Sequence, residues 1–188
     1  MMYYFFAATL PQVKFGEEPP ESLAEFDADA AGELPAGEWR RLTGFALPSA
    51  PDDAAAGLPR IYDEFRRFEV LLRTRVARRR ADRNGVPLEL PEPETFCSEA
   101  ENAVSSAAAA ASPAEREEIL DRARWTLLDE LECNHFFDFD FLCVYRLRLL
   151  IADRRWRRAS AERGRANFDA ALDAVMAAGG AATEKFAE

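Results

Sequence analysis

Residues 132–145 read ECNHFFDFDFLCVY. The stretch holds the only histidine of the 188-residue chain, two of its three cysteines and two aspartates. It is therefore a metal site, a catalytic cluster or the inside of a helical protein. A zinc site takes about four ligands, usually cysteines or histidines paired closely in sequence. Here Cys133 and His135 stand two apart, Cys143 follows eight further on, and Cys97 is remote. A spacing of two puts side chains on different faces of a helix, and Asp138 and Asp140 share that mismatch. Phe136, Phe137, Phe139, Phe141 and Tyr145 fill the rest with apolar bulk. The stretch reads as a packed corner between two helices. Asp138 or Asp140 is suited to capping the second helix at its positive end. His135 is expected to cap the first helix or to hydrogen-bond within the corner. No metal and no cofactor is assigned to it.

Helix signals flank that corner on both sides. Ser112-Pro-Ala-Glu115 is a capping box with proline at the first helical position, and it opens a helix carrying Ile119, Leu120, Ala123, Leu127, Leu128 and Leu131. After the corner, one helix is expected from about Asp138 to Arg158. A second is expected from about Ser160 to Ala178, with Phe168, Leu172 and Val175 on one face and a stop at Gly179-Gly180. Upstream, Pro59 suits the start of a long helix whose apolar stripe is Ile61, Phe65, Phe68, Leu72 and Val76, and Asn84-Gly85 ends it. Leu47–Gly57 reads as a loop and 86–94 as an extended connector rich in proline. In 103–111 the alanines fit a helix or a linker. Ser22-Leu-Ala-Glu25 is another capping box, opening a short helix that Gly32 and Pro35 limit, and Trp39–Phe45 suits one more. Residues 2–10 fit a strand or a first buried helix broken by Pro11. With no other strand alternation, the fold class is all-α: several antiparallel helices in a bundle, with long central and C-terminal members. One domain is expected over 1–188. Its parts are an irregular acidic 1–58, a long helix 59–85, a connector and Ala-rich segment 86–111, and C-terminal helices 112–178.

The charge pattern narrows the function classes. The chain has a formal charge of −10, and its charges are segregated. Eight acids and no base lie between Glu17 and Glu38, whereas nine arginines lie between Arg60 and Arg83 and eight between Arg146 and Arg165. Such runs either neutralise one another within the molecule or meet partners. Overall acidity opposes nucleic-acid binding, which rests on neutralising phosphates, and no aromatics interleave the run Arg73–Arg83 for base stacking. An Arg-rich nucleic-acid module remains the lesser alternative, behind a free-standing helical adaptor. No phosphate-binding glycine motif and no nucleophile elbow occurs, and one histidine leaves few players for acid–base chemistry near neutral pH. No catalytic residue is assigned, and the chain is not expected to be an enzyme. Three irregularly spaced cysteines suit a reducing, cytoplasmic compartment. The apolar opening MMYYFFAATLP is short, with no basic residue before it, so neither a secretory signal nor a membrane helix is expected.

Several strings carry a family resemblance. The opening YYFFAATLPQVKFGEEPPESLAEF resembles that of uncharacterised bacterial proteins encoded alongside V-type ATPase subunits, through Tyr3, Tyr4, Leu10, Pro11, Gly16, Pro19, Pro20 and Phe26. The strings YDEFRRFEVLLRTRVARRRA, LDELECNHFFDFDFLCVYRLRLLIADRRW and RGRANFDAALDAV resemble that family's long helices. In helical style the chain is also similar to the all-helical socket component of V-type ATPases, which joins the rotor shaft to the membrane ring and is considerably longer. The resemblance implies a non-enzymatic accessory or stalk-type component that docks onto V-type ATPase subunits, peripheral to the membrane through its partner. Arg73, Arg75, Arg78, Arg79 and Arg80 are the expected partner-binding residues, with the acidic segment 17–38 as a second contact.

Overall fold

The computed structural model describes residues 2–45, 59–88 and 97–184. The expected loop 47–57 and most of the 86–94 connector lie outside them. All seven elements among the described residues are helices, and no strand occurs there. The first, α1 (Met2–Thr9), settles the choice at residues 2–10 in favour of a helix. It ends where the Thr9 hydroxyl donates to the Phe6 carbonyl just before Leu10-Pro11. The next, α2 (Leu23–Glu33), begins on a full capping box. Ser22 accepts from the Glu25 N–H, and the Glu25 carboxylate accepts from the Ser22 N–H. A short α3 (Ala36–Thr43) follows Pro35.

The long helices form the body. Pro59 is the residue before α4 (Arg60–Asn84) rather than its first, and Gly85 ends that helix in the left-handed conformation at φ 63°. Residues 103–109 of the alanine-rich segment belong to α5 (Ser98–Ala109), so helix propensity prevails over the linker reading there, and 110–111 lie beyond the helix. In α6 (Pro113–Glu132), Ser112 caps as expected, but Glu115 reaches one residue further back and accepts from the Ala111 N–H. The largest departure is α7, one continuous helix over Phe139–Glu184. The expected break at 159–160 and the stop at Gly179-Gly180 do not occur. Ala159 and Ala161 flank Ser160 with high helix propensity, and the helix runs on through Gly179-Gly180 although glycine disfavours it.

Cross-links between side chains fix how the helices run. Along α7, Arg148 pairs with Asp129 and Glu132, and Arg158 pairs with Glu117 and Asp121, so α6 and α7 are antiparallel. Glu69 meets Arg124, and Leu72 packs with Leu120, which sets α4 against α6 in the same sense. The core has two parts. The larger joins α1–α3, the start of α4, the end of α6 and the first half of α7 around Phe26, Leu42, Tyr62, Phe65, Leu128 and Leu147. The smaller joins α4, α5 and the start of α6 around Leu72, Ala100, Val104 and Leu120. None of the helices is long and apolar enough to cross a membrane, among the described residues.

Candidate interaction surfaces

The corner at 132–145 joins the end of α6 to the start of α7. Asn134 takes φ 68°, a left-handed turn that asparagine tolerates, and this reverses the chain after α6. Asp138 then commits both carboxylate oxygens. Oδ1 accepts from the Phe141 N–H at 2.9 Å, capping α7, and Oδ2 accepts from His135 Nδ1 at 2.6 Å. Burial opposes ionisation of Asp138, but the bonds from His135 and Phe141 outweigh it and hold its pKa below the usual 3.8. The far nitrogen of His135 faces Arg60 Nη2 at 3.4 Å and Asp140 at 3.8 Å. No group of three or more His, Cys, Asp or Glu side chains converges as a metal would require, among the described residues. Cys133 is exposed, while Cys143 is buried beside Tyr62 with its thiol pushed up to about 12 by burial.

The corner does not bury all its aromatics. Phe136 and Phe137 point outward, and Phe137 meets Tyr4 of α1 with ring centroids 4.6 Å apart. Phe5, 77% exposed, stands edge-on to Tyr4. Tyr4, Phe5 and Phe137 thus form an exposed aromatic cluster drawn from two segments distant in sequence, with Phe136 exposed next to Phe137 in the turn. Sequence reasoning folded Phe136 and Phe137 into the corner. The signal against this was that both fall in the turn, before the helical spacing begins.

The arginine runs are used in two different ways. Those of α7 are largely neutralised inside the molecule. Arg146 lays its guanidinium on Asp27 of α2 through two bonds of 2.8 and 3.0 Å and donates a third to the Phe45 carbonyl. Arg148, Arg154, Arg155 and Arg158 all pair with acids of α6. At the centre lie Glu69 and Asp121, both fully buried. Glu69 accepts from Arg124 and Arg73, and Asp121 accepts from Arg124, Arg154 and Arg158. Burial alone would raise the pKa of Glu69, yet Arg124 and then Arg73 bring it below 4.5.

The five arginines expected to bind a partner are divided by this arrangement. Arg73 is tied to Glu69, Arg75 pairs with Glu101 of α5, and Arg78 is likewise engaged. Arg79 and Arg80 instead line a cleft of about 610 Å³ between the ends of α4 and α5 and the start of α6. Arg83 and Arg116, which the sequence reading did not single out, line it too. Arg79, Arg80 and Arg83 are exposed and have no carboxylate partner among the described residues. Comparison with known protein families, with curated proteins and with solved structures finds no match for this chain.

Proposed function

We propose that this chain is a non-enzymatic, all-helical accessory or stalk-type component of a bacterial V-type ATPase, acting by docking onto partner subunits. The choice of partner rests on the resemblance of its opening and long-helix strings to proteins encoded beside those subunits. The observation that carries docking is the exposed aromatic surface Tyr4, Phe5, Phe136 and Phe137. Exposed rings of this kind are what protein interfaces bury at their centres, and aromatic anchors dominate binding energy there. Tyr4 also belongs to the opening that carries the resemblance. The arginines Arg79 and Arg80 supply a second, electrostatic contact at the opposite end of the helical body.

The test is a pull-down of the tagged chain from its own cells in mild detergent, with mass spectrometry of the co-eluting proteins. V-type ATPase subunits are expected, and their recovery should fall sharply in a Phe5→Ser, Phe137→Ser double variant that still folds. Recovery of other proteins only would make the chain a free-standing adaptor. Recovery of nucleic acid only would overturn docking altogether.

A further inference from the structure

We infer that the cleft at the ends of α4 and α5 is a binding groove for an acidic, extended peptide segment of a protein partner. It departs from the rest of α4 in its charge balance. The arginines nearer the start of α4 have acids beside them, as in Arg60–Glu64, Arg66 and Arg67 with Asp63, and Arg73–Glu69. In the cleft, Arg79, Arg80, Arg83 and Arg116 converge with only Asp82 to offset them. On a chain of net charge −10 this is a local concentration of positive charge that folding does not neutralise. Arg116 is also bonded to the Ala107 carbonyl, which ties the start of α6 to the end of α5 and fixes the wall of the groove.

Spacing argues for a peptide over a small phosphate. Arg79 and Arg83 are four residues apart on α4, about 6 Å along the axis. Alternate side chains of an extended peptide repeat at roughly 6.6 Å. Two carboxylates in the pattern acid-x-acid therefore match this pair, whereas the adjacent phosphates of a polyphosphate sit much closer together. The lining also includes Val76, Ala108 and Ala109, apolar surface that suits small apolar side chains alternating with the acids. Guanidinium groups also bind carboxylates through two parallel bonds, which favours register over charge alone.

The inference rests on the docking reading only in taking the occupant to be a protein segment. Its test uses the purified chain and no ATPase subunit, so the pull-down and this assay fail independently. A labelled synthetic peptide of about ten residues, alternating glutamate and leucine, is titrated by fluorescence anisotropy. Saturable binding is expected, weakening with salt. It should weaken by about tenfold or more in an Arg79→Glu, Arg83→Glu double variant. An Arg40→Glu, Arg157→Glu variant carries the same change of net charge elsewhere and should bind as the parent does. Circular dichroism confirms that both variants fold. Absence of saturable binding, equal loss in the two variants, or displacement of the peptide by tripolyphosphate at lower concentration than the peptide itself requires would each overturn the assignment.

Discussion

Glu69 stands four residues after Phe65 and three before Leu72, on the apolar stripe of α4 and not on its solvent face. Helical spacing alone therefore places a carboxylate in the interior, where it must be paired. The sequence reading kept the stripe and passed over the acid. It also had no means to name the partner, because Arg124 is 55 residues away. Removing one member of a buried pair leaves the other uncompensated, so Glu69→Met should cost about 3–5 kcal/mol, measured by urea denaturation. Replacing both groups, as Glu69→Met with Arg124→Leu, should recover most of that loss, since desolvating the pair offsets much of its attraction. The double variant keeps Asp121 satisfied through Arg154 and Arg158.

Among the helices, starts were more legible than ends. Ser22 and Ser112 announce α2 and α6 through a hydroxyl, a local interaction that the neighbouring residues fully specify. The end of α4 was equally clear, because glycine takes φ 63° with no Cβ to oppose it. The length of α7 was not, since no single residue decides whether a run of alanine, serine and arginine continues as helix. Glycines make the distinction measurable. Gly85→Ala places a side chain in the left-handed conformation and should destabilise the protein by about 1 kcal/mol. Gly32→Ala, within α2 and with open space around the added carbon, should stabilise it by about 0.5 kcal/mol. Denaturation midpoints of the two variants should therefore move in opposite directions.

For the whole molecule, the fold class was legible because apolar periods of three and four recur across most of the chain. The candidate surfaces were only half legible. Charge runs are visible in a sequence, but which arginines remain unneutralised depends on the acids that α2, α5 and α6 bring to them. Self-neutralisation also sets the response to acid. Glu69 and Asp138 have pKa values lowered by folding, so each contributes stability that is complete above its ordinary value of 4.5 or 3.8. That contribution is lost as pH falls through the lowered, folded-state values. Thermal melting should be nearly level in the pH range where both groups are ionised in either state and should drop below about pH 4.5. Glu69→Gln should make the drop shallower.

The charges left over after this internal pairing are arranged unevenly in space. The exposed acids Asp29 and Glu33 ride on α2, which packs beside the beginning of α7, whereas the arginine cleft lies where α4 and α5 finish. The exposed acids of α2 and the arginines of the cleft are thus set apart along the helical body. On the docking proposed above, an acidic partner would be drawn towards the cleft before any surface touches, leaving the aromatic end turned away from it.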